Sequence, residues 1–191
     1  MGKHAASKRA DILDAAKALL WERGYEAMTP RALIDLSGAG QGSLYHHFDG
    51  KLDVALAAME EISAEETARV EEIFSAHRAP LARIEGYLAR ERDALRGCRM
   101  ARLANEVQMA EPRFRAPVGA YLGRVETLLA QAAGEAMAQG ALARAMTPQA
   151  LALALLAIVE GGFVLARAHG DEARLAAALD AGRALIAALK P

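Results

Sequence analysis

The chain has a single cysteine, Cys98, so no internal disulfide can form. That fits a reducing compartment and leaves stability to packing. Aromatic residues are only 5% of the 191, and Trp21 is the sole tryptophan. β-Branched residues are scarce as well: alanine is more than twice as common as Val, Ile and Thr together. No stretch alternates cleanly between apolar and polar, and alanine is the best helix former, so an all-α fold is expected. Charge of one sign is missing too. Lys plus Arg number 23 and Asp plus Glu 24, a net charge of -1. Bulk charge therefore announces neither nucleic-acid nor membrane binding, and any such role must come from local arrangement. The N-terminal residues lack the apolar segment and cleavage site of a signal peptide. The longest apolar run, Ala150 to Ala166, is slightly short for a membrane span and is interrupted by Glu160, Gly161 and Gly162. A helix buried between protein partners is the expectation, with no membrane role. No nucleophile–base spacing, paired carboxylates, phosphate loop or metal cluster stands out, so neither an enzyme nor a cofactor or metal is expected. His46 and His47 are adjacent and point about 100° apart on a helix, which suits no metal pair.

What is present suffices for a packed core: 53% of residues are hydrophobic and 25% charged. Such a composition excludes disorder and needs no metal staple. Prolines mark helix starts at Thr29-Pro30, Ala79-Pro80 and Thr147-Pro148, where Thr can cap and Pro suits the first helical position. Pro112 and Pro117 bracket a short break, and Gly24, Gly38, Gly50, Gly97, Gly140 and Gly170 mark ends. These signals predict about nine helices, over 7–23, 30–37, 41–48, 51–77, 80–96, 99–109, 115–139, 148–168 and 172–189. A boundary at Asp49–Lys51 divides a first module, 1–50, from a second, 51–191.

Residues 29–51 carry the most information. A capped short helix ends in Ser37-Gly38-Ala39-Gly40, and a second short helix follows with Gln41, Ser43, Tyr45 and His46 on one side. Leu33, Leu44 and Phe48 would face the core. Two short helices joined by a tight glycine turn make a helix-turn-helix, whose second helix can enter a DNA major groove. No carboxylate occurs between Asp35 and Asp49, and the first ten residues hold Lys3, His4, Lys8 and Arg9 without an acid. Residues 1–60 as a whole are balanced, so Asp11, Asp14, Glu22 and Glu26 would have to point away from DNA.

Arg9 through Val54 resembles the N-terminal domain of the TetR family of bacterial transcriptional regulators. The matching residues are Ile12-Leu13, Ala15-Ala16, Leu19, Gly24-Tyr25, Thr29, Gly38, Gly42, Leu44-Tyr45, His47-Phe48 and Lys51. The Ser-Leu-Tyr-His-His-Phe and Gly-Cys elements are similar to its LmrA/YxaF-like branch. The resemblance implies double-stranded operator DNA as partner, with Gln41 reading a base and its amide able to pair with adenine. It implies phosphate contacts from Ser43, Tyr45 and Lys51, a helix start at Thr29-Pro30-Arg31 close to the backbone, and base, sugar or packing roles for His46 and His47. Gly40 departs from the usual Ser or Thr cap, Ile34 from a usual Ala and Leu52 from a common Glu; all three read as local repacking.

The same resemblance implies that the rest of the chain forms a homodimer and binds a small-molecule effector, in a cytoplasmic regulator. Apolar stripes at Leu151, Leu155, Ile158, Val159 and Gly162, and at Leu179 and Ile186, predict the dimer seam, a four-helix bundle across a two-fold axis. Effector candidates are residues that interrupt the apolar pattern: Tyr87, Cys98, Asn105, Glu106, Met109, Tyr121 and Phe163. Cys98 is flanked by Arg96 and Arg99, cations that favour thiolate, so a thiol-based redox or electrophile sensor is an alternative. A helical ligand-binding protein without DNA function is another.

Overall fold

The computed structural model describes the backbone of residues 2–75 and 77–191 and the side chains from Lys8 onward, except Ala76. Its described residues form eight α-helices and two 3-10 turns, with no strand. The helices are α1 (Gly2–Ala27), α2 (Pro30–Ser37), α3 (Gln41–His47), α4 (Lys51–Ile73), α5 (Pro80–Ala89), α6 (Pro112–Ala138), α7 (Pro148–His169) and α8 (Ala173–Ala188). They divide into two compact units, 1–65 with 99–120 and 66–98 with 121–191, so the division falls inside α4 and α6.

In the first unit α1 buries Ile12, Ala15, Ala16, Leu19 and Leu20, the stripe its spacing predicts, and packs on α2 and α3. It runs past Arg23 but breaks at Gly24, whose φ of 81° is open to glycine and strained for other residues. The helix expected over 99–109 is instead two 3-10 turns, Ala101–Asn105 and Val107–Ala110. Glu106 between them is extended, with φ -74° and ψ 142°, and its carboxylate accepts the N–H of Tyr25 at 3.1 Å. A long-range contact here overrides local helix propensity.

In the second unit α5 stops at Ala89 rather than running to 96. Arg92 folds back and donates to the carbonyls of Tyr87 (2.5 Å), Leu88 (3.4 Å) and Arg90 (2.8 Å), groups a helix end leaves unmatched. α6 starts at Pro112 and absorbs Pro117, which removes one hydrogen bond near the helix start. α7 is long and apolar enough to cross a membrane by length and composition, and 44% of that window is buried. It packs along α8, closely enough that a methyl group on Gly162 would lie 2.9 Å from Ala178 Cβ and Leu175 Cδ1.

Packing within the chain accounts for most of the residues expected at the dimer seam. Leu151, Leu155, Val159, Gly162, Leu179 and Ile186 are all buried within the chain, and only Ile158 keeps partial exposure. A side chain already removed from water has no area left to bury against a second copy. The apolar stripes trace the packing inside the chain, and the apolar surface left open on α7 is Leu153 (56% exposed), Val164 (60%) and Leu165 (49%).

Candidate nucleic-acid interface

The helix-turn-helix is assembled by local signals. Thr29 Oγ1 accepts the Ala32 N–H at 3.1 Å, and Pro30 opens α2. Gly38 ends it in the left-handed region (φ 62°, ψ 16°), its N–H donating to Ile34 at 3.0 Å. Ser37 Oγ then accepts the Ala39 N–H at 3.1 Å. Gly40 caps α3 without a side-chain bond, as expected of glycine there. Leu33, Leu44 and Phe48 are buried, which forces the opposite side of α3 outward. Gln41, Tyr45 and His46 are exposed on it, while Ser43 and His47 are half-buried. Tyr45 keeps 52% of its surface and is no core residue. Among the described residues no group of three or more His, Cys, Asp or Glu is arranged to hold a metal.

Two cations stand beside α3 under different constraints. Arg31 pairs with Asp35 at 2.9 Å, yet its side chain is 82% exposed, so the pair is weak and easily exchanged. Lys51 is fixed. Its Nζ lies 4.1 Å from the centroid of the Tyr25 ring, donates to the Glu26 carbonyl at 3.2 Å and approaches the Glu26 carboxylate at 4.0 Å. Tyr25 is buried edge-on against Phe114 (5.2 Å), and burial, then Glu26, pushes its hydroxyl pKa up. Of the acids of α1, Glu26 stays beside Lys51, whereas Asp11 and Asp14 are engaged elsewhere. Asp11 pairs with Lys8 at 3.4 Å, and Asp14, Glu61 and Glu65 surround Lys17 at 2.9, 3.1 and 3.1 Å. Burial alone would lower the Lys17 pKa, but these carboxylates raise it. The side chains of Lys3 and His4 lie outside the described residues.

The seven effector candidates fall in both units. Asn105, Glu106 and Met109 belong to the first unit, where the Glu106 carboxylate is engaged by Tyr25. Tyr87, Cys98, Tyr121 and Phe163 belong to the second. There Tyr87 and Tyr121 are buried near Glu160, a pattern-breaking charge the sequence does show, and near Glu66, Arg90 and Arg92, which sequence reasoning missed. Glu66, 5% exposed, pairs with Arg90 at 3.3 Å and Arg69 at 2.7 Å, and Arg90 Nη1 is buried with no hydrogen-bond partner. Burial pushes the Glu160 carboxyl up to about 7, against the Cys98 thiol that hydrogen-bonds it and the charges of Arg92 and Arg90. Burial likewise pushes the Tyr87 hydroxyl up to about 12 and the Tyr121 hydroxyl higher still, so both stay neutral donors. The cations flanking Cys98 face carboxylates: Arg96 stands 4.0 Å from Asp93 and Arg99 2.8 Å from Glu65. Glu66, Arg90 and Arg92 sit in ordinary charged stretches of α4 and the end of α5, with no spacing to single them out.

Two family profiles match the chain, one over each end of it. The profile of the bacterial regulatory proteins of the tetR family matches residues 12–58, and that of the tetracyclin repressor-like C-terminal domain matches residues 76–181. The HTH-type transcriptional repressor AcnR of Corynebacterium glutamicum is 34% identical over 74 residues, 39% of this chain and 37% of AcnR. The transcriptional regulator AcuR of Cereibacter sphaeroides is 28% identical over 163 residues, 82% of this chain and 74% of AcuR. The alignment thus spans little more than a third of AcnR and most of AcuR. A crystal structure of a TetR-family regulator from Agrobacterium tumefaciens superposes with a TM-score of 0.86 at 25% identity, covering 98% of this chain and 100% of that one. The C-terminal profile alone spans more than half of the chain, the N-terminal one covers its helix-turn-helix, and the chain belongs to the TetR family of bacterial transcriptional regulators.

Proposed function

We propose that this regulator is a cytoplasmic, homodimeric repressor that binds double-stranded operator DNA through α3 and is released by a small-molecule effector. TetR-family proteins are DNA-binding regulators rather than enzymes, in line with the absence of catalytic spacing in the sequence. The observation that carries the reading is the outward set Gln41, Tyr45 and His46 on a helix whose other side is anchored by Leu44 and Phe48. In this reading Gln41 contacts a base edge, with His46 and His47 beside it on base or sugar. Arg31, Ser43, Tyr45 and Lys51 hold phosphates, and Thr29 sets the start of α2 against the backbone. AcnR, named a repressor, supports repression over activation.

A monomer would read one half-site only; a dimer reads two, about 34–36 Å apart. The exposed Leu153, Val164 and Leu165 of α7 supply apolar area for the second copy. The effector is assigned to the second unit, around Tyr87, Cys98 and Tyr121, where Arg90 Nη1 lacks an acceptor. An effector that favours a dimer with the wrong half-site spacing needs a coupling of only about 1–3 kcal/mol.

The test is a mobility shift of the flanking intergenic DNA, titrated with protein at fixed salt. A specific band with two chains per site is expected. A folded dimer that selects no sequence from random DNA would sink the proposal.

A further inference from the structure

We infer that Glu106, far outside the helix-turn-helix, positions Lys51 for DNA by holding the last turn of α1. The inference rests on the reading of Lys51 as a phosphate contact.

The starting point is a divided helix bond. In an unbroken α1 the N–H of Tyr25 would donate to the carbonyl of Trp21, four residues back. The break at Gly24 separates them. Both halves are met by side chains from one short stretch, 102–106: Glu106 Oε1 accepts the Tyr25 N–H at 3.1 Å, and the Arg102 guanidinium donates to the Trp21 carbonyl. Arg102 also reaches the Glu22 carbonyl at 3.3 Å. Gly24 is needed twice, for its positive φ and because a methyl group there would collide with the Glu106 carboxylate.

The turn held this way carries Lys51 from two sides. The Tyr25 ring lies under the ammonium at 4.1 Å, and the Glu26 carbonyl accepts from it at 3.2 Å. Lys51 opens α4, directly after α3 and its anchor Phe48. Where residues 24–27 stand therefore decides where the Lys51 charge stands. Without the carboxylate the Tyr25 N–H has no partner in a half-buried setting, and the turn relaxes toward straight helix or frays. Tyr25 and the Glu26 carbonyl then leave Lys51, and the entropy cost of fixing the freed side chain again keeps it off the phosphate. The role needs an acceptor, not a charge, so glutamine can fill it.

The test measures DNA binding of the full chain across salt concentrations for wild type, Glu106→Ala, Glu106→Gln, Lys51→Ala and the Glu106→Ala/Lys51→Ala double variant, with thermal melting alongside. Glu106→Ala should bind about tenfold more weakly and lose about one unit of salt slope, the signature of one phosphate contact. Glu106→Gln should stay within about twofold of wild type, and the double variant should match Lys51→Ala alone, since both changes remove one contact. A Glu106→Ala slope equal to wild type, or losses that add in the double variant, overturns the inference. Should Lys51→Ala itself leave the slope unchanged, the reading of Lys51 fails instead, and with it this inference's basis. If Glu106→Ala does not fold, Tyr25→Leu keeps the backbone bond and removes the ring beneath Lys51; it should lower the slope by the same amount, and no change there overturns the inference equally.

Discussion

The outer side of α3 and the interior of the second unit both concentrate polar side chains, and they treat them oppositely. Gln41, Tyr45 and His46 stand in water on a helix anchored from behind by Leu44 and Phe48. Glu66, Arg90, Glu160, Tyr87 and Tyr121 are drawn inward, with ion pairs, shifted proton affinities and one guanidinium nitrogen without a partner. Exposed recognition residues are exchanged at little cost to folding, because both states see water. Buried ones are tied to stability, because each was desolvated when the chain folded. The difference makes the first surface free to diverge in what it reads, while the second unit can change only by repacking.

The sharpest way to break that contrast is through packing in the second unit. Leu155 is fully buried on α7. Leu155→Ala should lower stability by about 2–5 kcal/mol, read as a drop in denaturant midpoint at unchanged slope. A cost below about 1 kcal/mol would mean that α7 and α8 collapse freely around the lost side chain and are not closely packed there.

Next in size is a pH effect confined to the second unit. The Glu160 carboxyl titrates near 7 when folded and near 4.5 when unfolded, so the folded chain holds its proton more tightly. Stability from this group is full below the unfolded value and is lost as pH rises through about 7. The groups that act on it are Cys98, Arg92 and Arg90, with Tyr87 also within electrostatic reach. Relative to Glu160→Gln, wild type should lose up to about 3 kcal/mol between pH 5 and 8. Parallel pH–stability curves for the two proteins would show that Glu160 is more solvated than its surroundings indicate.

The exposed surface should behave the other way. Gln41→Ala should leave the unfolding midpoint in place and cost about 1–3 kcal/mol in operator binding, with relaxed preference at one base pair. A uniform loss across all sequences would instead mark Gln41 as a phosphate contact. A lower melting temperature would erase the contrast between the two regions.

Legibility divides along similar lines. The helix-turn-helix was readable because its instructions are local: Thr29-Pro30 starts α2, Gly38 stops it, and Leu44 and Phe48 stand one turn apart. α7 and α8 were readable from proline and glycine punctuation, whereas α6 starts at Pro112 and runs through Pro117, the pair expected to bracket a break. The segment after Cys98 was not, since the break at Glu106 depends on Tyr25, 81 residues earlier in the chain. Nor was the end of α5, where one arginine folds back on carbonyls that no periodicity foretells. Apolar stripes on α7 and α8 marked the faces along which these two helices pack, but could not say whether a second copy also meets them. Arg90 and Glu66 meet from two helices, and nothing in either local sequence announces the meeting.

The smallest expected effects concern the two caps of the helix-turn-helix, which differ in kind. Thr29 Oγ1 accepts the Ala32 N–H at the start of α2, whereas Gly40 offers α3 no side-chain acceptor. Thr29→Ala should therefore cost about 1 kcal/mol of stability. Gly40→Ser should gain a few tenths of a kcal/mol, because Gly40 is extended (φ -73°, ψ 156°) and a Cβ there meets nothing within 4 Å. Both caps sit at the edge of the proposed DNA surface, so each variant is also measured for operator binding. A stabilised Gly40→Ser protein that binds DNA more weakly would mean the bare glycine serves the approach of the backbone to phosphate. One that binds unchanged would mean that α3 is as firmly held by Leu44 and Phe48 as the packing indicates, and that its missing cap is a tolerated local weakness.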